Sequence, residues 1–158
     1  MSQRQPSSRS CFLCGRDNAV GLKMVWDNHP QEKEVRATVT VCEHFNGYPG
    51  VVHGGILAAI LDETAGRSVL LQGGFEDLMV TVKMEVLYRR PTPTGVPLQA
   101  VGKVERRTGT RAETKAEIRL PDGTVSARAR VLLARPPEVI SQAWQAEKQY
   151  FKVDPDPA

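Results

Sequence analysis

One segment, GYPGVVHGGILAAILDETAG at residues 47–66, holds residues whose types and spacing suit chemistry on a carbonyl group. Gly54 and Gly55 open a predicted helix, where the first backbone N–H groups have no intrahelical partner. Because glycine has no side chain, a ligand oxygen can approach these donors, and they stabilise negative charge that develops on a carbonyl oxygen. We predict that Gly55 is the donor and that His53 and Gly54 shape the turn.

Asp62 supplies the second group. A carboxylate in the middle of an apolar helix is costly to bury unless it is paired or neutralised. Asp62 can act as a general base for water or attack the acyl carbon itself, and the sequence leaves both mechanisms open. Glu63 points about 100° away around the helix and is the alternative catalytic carboxylate. Pairing with Arg67 is the structural alternative for Asp62.

The spacing between the two groups predicts an assembly. Gly55 and Asp62 lie about 10 Å apart along the helix at roughly 1.5 Å per residue, whereas groups that act on one carbonyl must meet within about 3 Å of the reacting atoms. Two antiparallel helices across a twofold axis would bring Gly55 of one subunit to Asp62 of the other. We therefore predict a homodimer with two shared sites, and exposed sheet faces favour a dimer of dimers, a homotetramer.

The helix that carries these residues is predicted to run from Gly54 to Leu71 and to end at Gly73–Gly74. It is apolar almost all round, so other elements must cover it. Two short strand candidates precede it, at Leu22–Asp27 and Val35–Cys42.

Four segments with period-two alternation follow the helix, and each places apolar residues on one face and charged residues on the other. This pattern is typical of an antiparallel sheet with one side in water. We therefore predict an α+β fold in which one long buried helix is wrapped by a curved antiparallel sheet of about five to six strands. The four segments are Val80–Arg89, Leu98–Glu105, Arg111–Leu120 and Val125–Leu133.

The chain ends are predicted to lie outside this domain. Residues 1–10 are polar and predict a disordered tail, and residues 11–135 form the domain. Residues 136–158 predict a C-terminal helix and tail, with a helix over Glu138–Phe151 and no regular structure in the final DPDPA. The expected packing side of that helix consists of Val139, Ile140, Ala143, Trp144 and Tyr150.

Composition restricts the class of protein. The 158 residues suffice for one core, and 41% hydrophobic and 25% charged residues are ordinary for a soluble globular protein. The longest apolar stretch, Ile56–Leu71, contains three charged residues, so we expect no membrane span. The first ten residues lack the apolar core of a secretory signal, which favours a cytoplasmic location. The net charge of +3 comes from basic residues interleaved with Glu, so we expect no nucleic-acid partner.

Three cysteines without an export signal argue against a disulfide framework. Cys11 and Cys14 have zinc-ligand spacing, and Cys42 with His44 could complete a four-ligand set. Such a zinc ion would be structural and remote from the catalytic segment. Two buried thiols without metal are the favoured interpretation.

The motif residues also resemble a known family. His53-Gly54-Gly55, followed after six residues by Asp62, resembles the active-site segment of hotdog-fold thioesterases, in particular the phenylacetate-pathway type. VTVKMEVLYRRPTPTG is similar to the family's third-strand segment, and CFLCGRDNAVGLKM is similar to the N-terminal stretch of many members, with Asn-Ala-Val-Gly-Leu in place of Asn-Pro-x-Gly-Leu.

The resemblance implies hydrolysis of an acyl-CoA thioester, with coenzyme A as part of the substrate and no cofactor. It implies that Asn46 and Thr81 lie near the substrate, although Asn46 is equally suited to a plain turn. Arg89 and Arg90, beside a turn, could contact the phosphates of coenzyme A. Two alternatives stay open: a non-catalytic acyl-CoA binding or sensing domain, and a hotdog hydratase.

Overall fold

The computed structural model describes residues 3–155. The strands are β1 Gln3–Arg4, β2 Asp27–His29, β3 Glu34–Thr40, β4 Asn46–Tyr48, β5 Val51–Val52, β6 Val80–Tyr88, β7 Pro97–Arg107, β8 Arg111–Arg119 and β9 Val125–Ala134; the α-helices are α1 Gly54–Ser68 and α2 Glu138–Trp144; and 3-10 helices span Glu43–Phe45, Phe75–Asp77 and Gln145–Tyr150.

Seven of the strands form one antiparallel sheet in the order β1-β2-β3-β7-β8-β9-β6. Helix α1 packs against one face of this sheet, and the interface between them is the hydrophobic core. Ile60 and Leu61 of α1 are fully buried there, as are Leu98 and Ile118 of the sheet. The other face carries the charged residues of the alternating pattern, so the predicted α+β hotdog architecture is confirmed. The sheet has slightly more strands than the predicted five to six.

A glycine in β7 brings the helix close to the sheet. A Cβ atom on Gly102 would lie 2.4 Å from the backbone oxygen of Thr64 in α1, so any larger residue would push the helix away. The Thr64 side chain is also buried and accepts a hydrogen bond from Trp26 Nε1 at 3.1 Å. These contacts fix the position of α1, and with it the position of Asp62.

The regular elements differ from the prediction mainly at short strands. The predicted strand at Leu22–Asp27 is wrong over most of its length, because the backbone becomes a strand only at Asp27–His29. Its large residues are nevertheless buried, since Met24 and Trp26 pack into the core. The predicted strand over Val35–Cys42 is observed as Glu34–Thr40, which begins one residue earlier and ends two residues earlier. Helix α1 ends at Ser68, and turns continue the chain to Leu71.

The prediction of a disordered tail at residues 1–10 fails for the part that the structure describes. Gln3–Arg4 pair with Asp27–Asn28, and Gln5 and Ser7 are buried. The reason is a set of polar contacts between distant residues. Gln5 Nε2 donates to the Asn28 side chain at 2.8 Å and to the Arg67 carbonyl oxygen at 3.0 Å.

The C-terminal segment is shorter in α-helix than predicted, because α2 ends at Trp144 and a 3-10 helix follows. The expected packing side is wrong in part: Val139 and Ile140 are 70% and 41% exposed, and Ala143 is exposed as well. Phe151 instead packs edge-on against Phe75. Of the final DPDPA, residues 156–158 lie outside the described residues. No helix within residues 3–155 has both the length and the apolar character needed to cross a bilayer.

Candidate active site

His53 caps the N-terminus of α1. Its Nδ1 atom accepts a hydrogen bond of 2.9 Å from the Gly55 N–H, and its carbonyl oxygen accepts the N–H groups of Ile56 and Leu57. An accepting Nδ1 places the proton of the neutral imidazole on Nε2. The hydrogen bond from Gly55 to His53 Nδ1 is consistent with the prediction that His53 shapes the turn.

The same contact changes which glycine can serve as donor. Because the Gly55 N–H is bonded to His53, it is not free for a ligand. The Gly54 N–H makes no hydrogen bond within residues 3–155, and it is the open donor of this turn. Gly54 also lies under the ring of Tyr88, whose hydroxyl donates to the Gly54 carbonyl oxygen at 2.8 Å. The structure thus favours Gly54 over the predicted Gly55.

Asp62 lies two turns further along α1 and is partly exposed. Its Oδ1 atom accepts a 2.6 Å hydrogen bond from the hydroxyl of Thr81 in β6. This contact orients the carboxylate and leaves the second oxygen, Oδ2, without a hydrogen bond among the described residues. Asp62 and Thr81, which were predicted separately as a catalytic and a substrate-binding residue, are therefore in direct contact within one chain. A cavity of about 100 Å³ borders both side chains, with Gly66, Leu78 and Met79 among its other walls.

Glu63, the alternative carboxylate, faces a different environment. Its Oε1 atom accepts a 2.9 Å hydrogen bond from Arg67 Nε. Burial raises the pKa of the Glu63 carboxyl, and the Arg67 guanidinium opposes that rise. Arg67 and Glu63 form a direct ion pair, and the Glu63 side chain is 28% exposed. Arg67 thus pairs with Glu63, and not with Asp62.

Arg67 connects Glu63 to the cysteine pair. Its Nη2 atom donates to Cys14 Sγ at 2.8 Å. A hydrogen bond from the Cys11 thiol, together with Arg67, lowers the pKa of Cys14 to about 5 despite burial. The same hydrogen bond and burial raise the pKa of Cys11. The contact of this cysteine pair with Arg67 and Glu63 of α1 was not predicted.

The structure does not bring together the four residues considered as an alternative zinc set, Cys11, Cys14, Cys42 and His44. Cys42 Sγ and His44 Nδ1 lie 3.6 Å apart, but both are exposed residues of the loop before α1. Within residues 3–155, the one group of three or more candidate ligands joins Cys11 and Cys14 with Glu63. The cysteine pair therefore meets a residue of α1 instead of the loop.

Asn46, the first residue of β4, is held by a residue that the sequence did not identify. Its Nδ2 atom donates to Glu43 Oε2 at 2.9 Å, and the other Glu43 oxygen accepts the Gly50 N–H at 2.7 Å and the Thr94 hydroxyl at 3.1 Å. These hydrogen bonds lower the pKa of the Glu43 carboxyl. No sequence pattern indicated this role, because Glu43 is an exposed carboxylate in a polar loop.

Arg89 and Arg90 follow Tyr88 directly and are exposed. Since Tyr88 contacts Gly54, both arginines emerge at the N-terminal end of α1. Thr81 lies at the opposite end of β6 from Tyr88, and Asp62 of α1 contacts it there. A single chain therefore presents two separate polar features: an open amide with nearby arginines, and an oriented carboxylate.

The sequence also matches a family model. The model, described as the thioesterase superfamily, matches residues 49–127, which is 79 of 158 residues and half of the chain. The chain belongs to the thioesterase superfamily. Gly54, Asp62 and Thr81 of this superfamily member all fall inside the matched range, with Gly54 near its start.

Individual relatives agree with this membership. The chain is 34% identical over 83 residues to the acyl-coenzyme A thioesterase THEM4 of Xenopus laevis, which covers 52% of the chain and 36% of that protein. A crystal structure of a thioesterase superfamily protein superimposes with a TM-score of 0.73 and 32% identity, over 80% of this chain and 60% of that one. Escherichia coli PaaI, from the phenylacetic acid degradation operon, shares the fold with a TM-score of 0.59 and 22% identity, over 65% of this chain and 76% of PaaI. The chain spans less than two-fifths of the length of the THEM4 relatives that it matches.

Proposed function

We propose that this chain hydrolyses an acyl-CoA or related thioester to the free acid and the thiol. The observation that carries the proposal is that one thioesterase superfamily fold holds both an oriented carboxylate, Asp62, and an open helix N-terminal amide, Gly54. The names of its relatives as acyl-coenzyme A thioesterases support the substrate class.

In this mechanism the thioester carbonyl oxygen accepts the Gly54 N–H, which stabilises the negative charge formed during attack. Asp62 either takes a proton from water, so that hydroxide attacks the carbonyl carbon, or attacks that carbon itself to form a mixed anhydride that water then cleaves. Both routes break the carbon–sulfur bond and release the thiol. Thr81 positions the Asp62 carboxylate in either case.

We further propose that each site is shared between two subunits. Gly54 and Asp62 are eight residues apart on one helix, about 12 Å at 1.5 Å per residue, which is too far for both to act on one carbonyl. Strand β6 is an edge of the seven-stranded sheet and pairs only with β9 among the described residues. An unpaired edge of nine residues is a ready template for a second copy.

The surfaces beside this edge suit a partner subunit. Val82 and Tyr88 of β6 are 59% and 49% exposed. On α1, Gly55, Ala59, Asp62 and Gly66 follow one another at spacings of three or four residues, and all keep some exposure. Small residues along this face allow a second helix to approach, and an antiparallel copy would bring Asp62 of one subunit toward Gly54 of the other. Arg89 and Arg90 would then flank the entrance for the phosphates of coenzyme A.

Activity is tested by thiol release from a panel of aromatic, short-chain and medium-chain acyl-CoAs, with wild type compared with Asp62→Asn and Gly54→Ala. The Gly54→Ala change suits this purpose because the added Cβ atom would lie 3.5 Å from the Tyr88 ring, an ordinary contact. A methyl group there would obstruct the amide and lower turnover by about 10²-fold. Binding of acyl-CoA without release of thiol from any substrate would favour the non-catalytic binding domain.

The shared site is tested by coexpressing the two variants with different affinity tags. In a mixed dimer, the intact Gly54 of one subunit meets the intact Asp62 of the other, so one of two sites is restored. The purified heterodimer should regain about half of the wild-type activity. If both groups act within one chain, every site in the heterodimer carries a defect and no activity returns.

A further inference from the structure

The cysteine pair lies against helix α1 at a residue next to Asp62. Cys14 is 3% exposed, Cys11 is half-buried, and the two sulfurs and a carboxylate oxygen of Glu63 all lie within 4.8 Å of one another. Glu63 lies about 50 positions along the chain from the two cysteines. Only the fold brings them together, and their side chains converge on one point.

We propose that Cys11, Cys14 and Glu63 form a binding site for a thiophilic divalent cation of the zinc class. Two thiolates and one carboxylate are ligands that zinc accepts, and the Cys-x-x-Cys spacing is common in its sites. In a tetrahedral site with zinc–sulfur distances near 2.3 Å, two sulfurs lie about 3.8 Å apart. The side chains can reach this spacing by small adjustments, and water would complete the coordination.

The charges around the cluster also suit a dication. Two thiolates and a carboxylate carry three negative charges, whereas Arg67 supplies one positive charge. A divalent cation would supply the remaining two. Without a metal, protons have to take its place, so binding would release protons.

The surroundings resemble the outer shell of a metal site. Arg67 donates to both Glu63 Oε1 and Cys14 Sγ, which leaves the second Glu63 oxygen for a metal. The Leu13 N–H points at Cys11 Sγ at 3.3 Å, and the Ser8 hydroxyl lies 3.4 Å from Cys14 Sγ. Hydrogen bonds of this kind fix ligand orientation and stabilise negative charge on sulfur.

The experiment uses the full chain, purified without a metal-binding tag and fully reduced. Zinc content is measured by elemental analysis after dialysis against added zinc, and cobalt(II) is titrated in parallel. We expect one equivalent of zinc per chain and a cobalt absorption band in the near ultraviolet with the intensity of two thiolate ligands. Zinc should also raise the melting temperature, because it binds only the folded chain.

Three variants locate the site. Cys11→Ser should weaken zinc binding by about 10²-fold or more and halve the cobalt–thiolate band, and Glu63→Gln should weaken binding while both thiolates still ligate. Cys42→Ser is the matched control, because Cys42 is the third thiol of the chain and lies outside the cluster. Circular dichroism verifies that each variant folds.

Two results would overturn the proposal. The first is a reduced, folded wild type that retains no zinc and gives no cobalt–thiolate band at millimolar metal. The second is binding that Cys42→Ser abolishes and Cys11→Ser leaves intact. Neither readout depends on thioester turnover, so this test is independent of the proposed function.

Discussion

Asp62 and Glu63 are consecutive carboxylates on one helix that border the same cavity, yet their side-chain partners differ. Asp62 accepts one hydroxyl hydrogen bond from Thr81 and keeps an oxygen available beside a cavity. Glu63 is paired with the buried guanidinium of Arg67 and approaches two cysteines. A rotation of about 100° between neighbouring residues separates a face suited to reaction from a face that joins segments of the chain.

The difference between Asp62 and Glu63 is tested most directly by replacing each carboxylate with the corresponding amide. Asp62→Asn should lower kcat by about 10²- to 10⁴-fold, since the amide can neither accept a proton nor attack carbon, and it should leave the melting temperature nearly unchanged. Glu63→Gln should lower the melting temperature, because Arg67 loses its anionic partner, and should reduce turnover far less. Steady-state thiol release and thermal unfolding measure both. A greater loss of turnover in Glu63→Gln would reverse the assignment.

Removing the positive charge of Arg67, the partner of Glu63, should have the next largest effect, which is a loss of stability. Arg67 is 4% exposed, and its guanidinium donates to Glu63, Cys14 and the Pro6 carbonyl oxygen. Arg67→Met would leave these groups buried without a partner, at a cost of about 3–5 kcal/mol in the free energy of unfolding. Urea unfolding measures this cost.

A matched control is available on the sheet. Arg106 forms an exposed ion pair with Glu113, so Arg106→Met should cost less than about 1 kcal/mol. Equal destabilisation by the two substitutions would contradict the view that the Glu63 side of α1 joins the chain segments.

These two sides of α1 also show what could be predicted from sequence. The helix and the four long strands were predictable because their hydrophobic periods extend over nine or more residues, and the Gly-Gly and Asp62 spacing lies within one helix. The strand at Gln3–Arg4 could not be predicted, because its position depends on hydrogen bonds of the Gln5 side-chain amide with Asn28 and Arg67.

The details of the site required three-dimensional contacts. The cysteine–Glu63 cluster joins residues about 50 positions apart, which no local pattern encodes. The choice of Gly54 over Gly55 depends on the rotamer of His53, since its Nδ1 atom occupies the Gly55 N–H. The role of Glu43 depends on where the loop folds back on itself.

On the Asp62 side, Thr81 provides a finer test. Thr81→Val keeps the shape of the side chain and removes the hydroxyl that orients Asp62, so kcat should fall by about tenfold, in line with a hydrogen bond to a charged group. Thr81→Ser retains the hydroxyl and should keep most of the activity. Single-turnover kinetics separate this effect from product release. Equal rates in Thr81→Val and wild type would mean that Asp62 needs no orientation by β6.

The smallest expected effect concerns the segment before α1, where Glu43 holds Asn46 and Gly50. Its pKa is lowered from the ordinary value of 4.5, so its contribution is complete above that value and is lost as the pH falls through the lower value of the folded state. The Gly50 amide resonance, followed by NMR from pH 7 to pH 3, should therefore titrate with a midpoint below 4.5. Glu43→Gln should abolish this titration. A midpoint at or above 4.5 would show that the Glu43 hydrogen bonds do not stabilise the loop and that Asn46 is positioned by other contacts.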